Sequence, residues 1–396
     1  MPKSGAAANL SCQPSVNVVH PSQLTSRSRR FLFPLLSMLL SIIVCVASAE
    51  ILLRFLPVQS GLRTIPVNAD NPVFHFLPGR NVTFSRGWNF DMVNHRQVNN
   101  AGWVNDQDYR EQDALPLLAI IGDSYIEAMM VPYEQTVYGR LASSLAGRWR
   151  VYSFGASGAP LSQYLIWARH AVEQYGARAV IINVVGNDFD ESHISYNTGP
   201  GWWVYAPEAD GSLHLRLIEY RPGVLRSIVS NSALARYLYF NLHIGNAWTE
   251  IRSFLIGSPA QAAPRYSGNT ASRADPARMR DSLAAMDALF RDLPAVIGLP
   301  PERVFFTLDG FRYPDAAVDG AGSYFDLMRQ AFRMRAEALG YPCIDLDSYF
   351  FPHYAAHAQR FEYPRDGHWN ETGHAVASQA ILASDFLLRL TGNGEK

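Results

Sequence analysis

A serine, a histidine and an aspartate lie far apart in this sequence but could work together in nucleophilic chemistry. Ser124 sits in the stretch AIIGDSYIEAMMV, immediately after an apolar run and the pair Gly122-Asp123. A hydroxyl is a weak nucleophile and needs a base within hydrogen-bond reach. His368, in RDGHWNETGH near the C-terminus, is the leading base. Asp366, two residues earlier, is close enough to hold the other ring nitrogen and stabilise the imidazolium. A developing oxyanion needs donors. The natural candidates are the backbone N–H groups of Ser124 and of Gly158, in SFGASGAP, and the side-chain amide of Asn187, in VGND. Losing one such donor costs about 3 kcal/mol of transition-state stabilisation.

Taken singly, each residue has an ordinary structural use. Ser124 suits a turn or a helix cap, Asn187-Asp188 a strand-end turn, and His368 the start of a helix. His353 and His357 have i, i+4 spacing, but no third ligand is evident. There is no G-x-S-x-G elbow, no phosphate-binding glycine loop and no H-E-x-x-H. Neither a metal nor a cofactor is expected.

The positioning elements follow from pattern. LPLLAII (115–121) is a short continuous apolar run, as expected for a strand buried on both faces. A helix over 136–147, a strand over 150–155, a helix over 161–176 and a strand over 177–186 follow. This alternation predicts a parallel sheet between helical layers. The rhythm breaks over 190–275. There a hairpin turning at Asp210-Gly211, a helical stretch over 225–244 and a loop over 257–277 read as an insertion over the C-terminal edge of the sheet. It resumes with a helix over 276–292, capped by Asp275 and Pro276, and a strand over 303–310. A helix over 323–340, a strand over 343–346 and a terminal helix over 370–390 complete it. In an open α/β sheet, ligands bind beyond the carboxyl ends of the strands, where Ser124, Gly158 and Asn187 all fall.

Composition bounds the rest. The chain has 396 residues, 48% of them hydrophobic and 17% charged, with a net charge of −1. That balance argues against nucleic acid as a partner. The three cysteines, Cys12, Cys45 and Cys343, show neither zinc-type spacing nor a disulfide framework. Phe31 to Ala49 is uncharged, follows Arg27, Arg29 and Arg30, and is about long enough to span a bilayer. The reading is a transmembrane signal anchor over 31–56, with residues 1–30 a disordered cytoplasmic tail and the rest exported. A signal peptide cleaved at Ala47-Ser48-Ala49 is the rival. Residues 57–112 form a membrane-proximal collar, and 113–396 carry the catalytic candidates. Trp202, Trp203 and Tyr205 open the insertion. They either seal it against the domain or offer faces to sugar rings.

In this order, GDSY, FGASGA, VGND and DGHWNETGH resemble the blocks of the SGNH/GDSL hydrolase superfamily, over about 113–190 and 276–396. The resemblance implies a flavodoxin-like three-layer α/β/α fold and metal-independent acyl-ester chemistry through a serine acyl-enzyme. It implies Ser124 as nucleophile, Asp366 and His368 as its partners, and Gly158 and Asn187 in the oxyanion hole. Many members place the acid three residues before the histidine. The D-x-H-W form here is similar to the SGNH domains of alginate-type O-acetyltransferases, which are envelope proteins. Val185 stands where the third block often has glycine. The expectation is an exported serine esterase acting on an O-acyl, and above all O-acetyl, group of a glycan or small ester. The alternatives are an O-acyltransferase acting on an envelope or secreted polysaccharide and a non-catalytic envelope scaffold.

Overall fold

The computed structural model describes residues 22–244, 274–364 and 366–392. The chain divides into two compact units, Met1–Phe55 and Leu56–Lys396. The described part of the first is one helix, Ser22–Leu53. Its segment Leu32–Leu53 has a mean hydropathy of 2.4 and is long and apolar enough to cross a membrane. A signal sequence would pass the same test. Of the tail expected to be disordered, residues 1–21 lie outside the described residues, whereas 22–30 belong to the helix. The helix continues from the apolar segment back through a polar stretch, although Pro34, having no N–H, removes one bond of its i→i−4 ladder.

The second unit opens with an antiparallel hairpin, β1 (Arg80–Arg86) and β2 (Met92–Val98). The strands β3 (Leu117–Gly122), β4 (Arg150–Gly155) and β5 (Ala177–Val184) follow. A second hairpin, β6 (Trp203–Pro207) and β7 (Leu213–Leu217), turns around Asp210-Gly211. Then come β8 (Val304–Leu308) and β9 (Cys343–Asp345), and a short hairpin, β10 (Glu362–Tyr363) and β11 (Asp366–Trp369). Five of these strands form one wholly parallel sheet in the order β4-β3-β5-β8-β9. Counted within the sheet this is 2-1-3-4-5, the flavodoxin-like order, with its topological switch point between β3 and β5.

Every residue of β3 and β8 is buried, as a strand covered on both faces requires. Neighbouring β8 residues show the two layers directly. Phe306 packs edge-on to Phe332 and Phe290, while Phe305 stacks on Phe386. Alternation along a strand sends them to opposite faces. Helices Leu161–Tyr175, Pro276–Ile297 and Tyr324–Ala338 pack together on one side. Val137–Ser144, Asp347–His357 and Glu371–Leu382 pack together on the other.

Several boundaries differ from the sequence reading. The stretch expected as one helix over 225–244 breaks at Ser232, whose side chain caps a second short helix by accepting from Ala235 N–H. The terminal helix divides likewise at Ser384, which accepts from Leu387 N–H. In both places a serine offers the backbone an alternative to the helical ladder. Helix Pro276–Ile297 runs five residues past the expected end, through Pro294, and stops at left-handed Gly298. Helix Asp347–His357 was not anticipated, because its spacing shows little amphipathicity and Pro352 lies inside it. Most of the loop read over 257–277 lies outside the described residues.

Candidate active site

The site starts from the end of β3. Gly122 lies so close to Ile126 that a Cβ would meet its side chain at 2.5 Å, so the chain can turn tightly there only without a side chain. Asp123 caps the following single turn, Ser124–Glu127, by accepting from Tyr125 N–H at 3.0 Å. Ser124 is thereby presented at the carboxyl edge of the sheet. Gly122 is in register with Gly155 of β4, and Ile121 with Ile182 of β5. The loops carrying Gly158 and Asn187 therefore flank the serine from the two neighbouring strands.

Asp366 and His368 are two residues apart on β11, and an i, i+2 pair lies on one face of a strand. His368 Nδ1 hydrogen-bonds the Asp366 carboxylate at Oδ1, which also accepts from the His368 backbone N–H at 3.1 Å. On the far side of the ring, His368 Nε2 is 2.8 Å from Ser124 Oγ. Ser124, His368 and Asp366 are thus connected from chain positions more than 240 residues apart. The Ser124 hydroxyl has a second acceptor in Asp123 Oδ2, at 3.2 Å.

The oxyanion candidates are placed less directly. Gly158 adopts φ +79°, and its N–H has no acceptor among the described residues. Asn187 Nδ2 donates to Glu191 Oε2 at 2.9 Å, which fixes the amide and leaves its second hydrogen for another acceptor. No hydrogen bond joins Gly158 or Asn187 to Ser124 among the described residues.

The electrostatics are uneven. Burial would raise the Asp366 carboxyl, but the hydrogen bond and charge of His368 and the charge of Arg86 outweigh it, and the group sits below its ordinary range. Burial raises Asp123, against the opposing pull of the Tyr125 N–H and of His368. Glu127, at the end of the turn that Ser124 opens, is pushed up to about 7 by burial, although it accepts from Ser157 N–H at 2.6 Å. Glu191 is also pushed up to about 7 by burial. Burial thus raises Glu127 and Glu191 toward neutrality, while Asp366, hydrogen-bonded to His368, is held below its ordinary range.

Sequence reasoning missed the residues that support this centre. Arg312 has no exposed surface and pairs with Asp309 at 2.7 Å, just beyond β8. It also donates to the Gly367 carbonyl and to the Tyr125 hydroxyl. Trp369 Nε1 donates to Asp309 at 3.1 Å. An aspartate at a strand's carboxyl end was the available signal for this network. Arg86, in the collar hairpin, lies 3.0 Å from Asp366 Oδ2 and carried no signal at all.

The insertion's aromatics are committed to packing. Trp202 stacks on Phe74 with centroids 4.1 Å apart, Trp203 Nε1 donates to Pro72 O, and buried Tyr205 donates to Asp292. His353 and His357 face one another at 4.6 Å. Among the described residues no group of three or more His, Cys, Asp or Glu is arranged to hold a metal.

No family model and no curated protein matches the chain. Among solved structures it is similar to an alpha/beta hydrolase enzyme from the metagenome of Lake Arreo, at 16% identity and a TM-score of 0.37, covering 69% of this chain and 96% of that one. It is also similar to a lipolytic G-D-S-L family protein from Veillonella parvula, at 11% identity and a TM-score of 0.33, covering 68% and 97%. A third is an acetyl xylan esterase, at 10% identity and a TM-score of 0.34, covering 68% and 100%. At these identities and TM-scores the functional reading rests on the geometry of the site.

Proposed function

We propose that the protein is a serine ester hydrolase of the SGNH type, acting on an O-acyl ester. The observation that carries this is the continuous chain from Ser124 Oγ through His368 to the buried Asp366 carboxylate. Ser124 Oγ attacks the acyl carbonyl carbon as its proton passes to His368 Nε2. Asp366 stabilises the imidazolium. The Ser124 and Gly158 N–H groups and the Asn187 amide receive the oxyanion. Collapse expels the alcohol, which takes the proton from His368 and leaves Ser124 acylated. Water, deprotonated by His368, releases the acid and restores the serine. An acetyl ester of a glycan fits the D-x-H-W block, as does a second reading in which a sugar hydroxyl replaces water and the acyl group is transferred. The apolar helix Leu32–Leu53, with its basic flank, supports a site held outside the cytoplasm.

The test compares the full chain in detergent with Ser124→Ala for fluorophosphonate labelling and 4-nitrophenyl acetate turnover. Loss of both in the variant supports the reading. A folded wild type that neither labels nor turns over overturns it. Transfer to added oligosaccharide, faster than hydrolysis, would select the transferase.

A further inference from the structure

The hairpin β1–β2 lies outside the parallel sheet, yet it touches the site at two places. Arg86, the last residue of β1, brings Nε to 3.0 Å from Asp366 Oδ2. That oxygen is buried and, apart from this ion pair, has no hydrogen-bond partner among the described residues. The other oxygen is occupied by His368. The Asp366 side chain is 1% exposed, so the guanidinium is the opposite charge at its back. From β2, Arg96 Nη1 donates to the carbonyls of Ala128 and Val131, at 2.8 and 2.9 Å, and Asn94 donates to Met129 O at 2.8 Å. One strand of the hairpin is therefore fastened to the segment that follows the nucleophile's turn, and the other to the acid.

The insertion holds the hairpin in place. Asn241 Nδ2 donates to Ser85 Oγ at 2.9 Å, and the Tyr237 hydroxyl donates to Trp88 O at 2.7 Å, so both sides of Arg86 are pinned. His243 Nε2 lies 3.2 Å from Arg86 Nη1.

We propose that Arg86 is a positioning residue of the triad, holding the Asp366 carboxylate oriented toward His368 from outside the α/β layers that carry Ser124. This rests on the hydrolase reading above. A carboxylate with one free oxygen can rotate away from the imidazole, and a salt bridge to that oxygen removes the freedom. Burial alone drives the carboxyl toward its neutral form, which cannot stabilise an imidazolium. The groups facing the Asp366–His368 pair can be named. Arg86 comes from β1 and Tyr363 from β10, Asp123, Tyr125 and Glu127 face His368 from the Ser124 turn, His374 from the helix after β11, and His243 stands behind Arg86. Among the described residues, Arg86 is the one that brings positive charge directly to the carboxylate's second oxygen.

The test uses the full chain in detergent, with Arg86→Gln and Arg86→Lys, each first shown to melt cooperatively. For Arg86→Gln, kcat for 4-nitrophenyl acetate falls about 10- to 100-fold, as for a misplaced catalytic group, with KM nearly unchanged. The acid limb of its kcat/KM profile moves to higher pH, because the protonated pair persists further. Arg86→Lys recovers part of both. Carboxyl ¹³C NMR, with Asp366→Asn for assignment, reads the same coupling without turnover. The Asp366 resonance of Arg86→Gln titrates at higher pH than that of the wild type. A folded Arg86→Gln protein with wild-type kcat, or with an unmoved Asp366 titration, overturns the proposal. Failure of the hydrolase reading shows differently, as a wild type indistinguishable from Ser124→Ala.

Discussion

Arg312 Nη1 donates to the carbonyl oxygen of Gly367 at 2.8 Å, fixing the backbone one residue before His368. The same guanidinium donates through Nη2 to the hydroxyl of Tyr125, the residue after Ser124, at 2.6 Å. The Tyr125 hydroxyl in turn reaches Gly367 O at 3.2 Å. One side chain thus registers the nucleophile's turn against the histidine's strand. Asp309 compensates its charge, and the pair is wholly buried.

Removing Arg312 alone should therefore be costly twice. Arg312→Met strands the Asp309 carboxylate in the core, a change worth about 3–5 kcal/mol. Adding Asp309→Asn removes the stranded charge and keeps an acceptor for Trp369 Nε1. The double variant should regain much of the denaturation midpoint but not the turnover. Equal recovery of midpoint and kcat would reduce Arg312 to a stability element.

Glu127 predicts a pH signature in stability. Burial pushes its carboxyl from 4.5 up to about 7 in the folded chain. The folded state then holds its proton over a range in which the unfolded chain has released it. This contribution is fully present below 4.5 and is lost as pH rises through about 7, on the order of 3 kcal/mol in all. Glu127→Gln keeps an acceptor for Ser157 N–H and cannot ionise. Its thermal midpoint should gain on the wild type as pH rises through that window. A constant difference between the two proteins across the window would refute the assignment.

The parts of the fold that were legible in sequence are those with sharp punctuation. Helix Leu161–Tyr175 lies between Pro160 and left-handed Gly176, and Asp275-Pro276 opens its helix as written. The fully apolar strands gave the parallel sheet, and with it the convergence of loops at the switch point. Breaks at Ser232 and Ser384 were hidden because helical spacing continues across them while a hydroxyl recaptures the backbone. Ser124, Asp366 and His368 could be gathered from their chemistry and from the family pattern. Arg86 could not. It lies on a hairpin held by Asn241 and Tyr237 and by Arg96 and Asn94, and the hairpin's sequence says nothing about where it docks. Arg312 was hidden for a similar reason, since its left-handed backbone and its side-chain bonds to Asp309, Gly367 and Tyr125 belong to tertiary structure.

His374, six residues after His368, predicts the opposite pH behaviour. It is fully buried, and its Nδ1 accepts from Val137 N–H at 3.2 Å, at the start of helix Val137–Ser144. Burial, reinforced by the charge of Arg96, lowers it from 6.5 to about 3. The neutral ring's contribution is present above 6.5 and is lost as pH falls toward 3. His374→Asn can still accept from Val137 but does not titrate. Its acid-unfolding midpoint should lie at lower pH than that of the wild type. Coincident acid transitions would show that His374 is not the group that limits stability there.

Gly155 ends β4 against the nucleophile's turn. A Cβ there would meet Glu127 N at 2.7 Å, Ile126 C at 2.9 Å and Asp123 O at 3.0 Å. All three are backbone atoms, so relief requires moving either the strand end or the turn that carries Ser124. Gly155→Ala should cost about 1–3 kcal/mol as overpacking. It should also lower kcat further than stability alone explains, because Ser124 shifts relative to His368. Gly147→Ala is the control. Its Cβ meets open space, so it pays only for a left-handed backbone, at φ +76°, far from the site. Its stability should fall by about 1 kcal/mol with kcat retained. Equal losses of kcat in the two variants would mean that the contact between β4 and the serine's turn does not set the nucleophile's position.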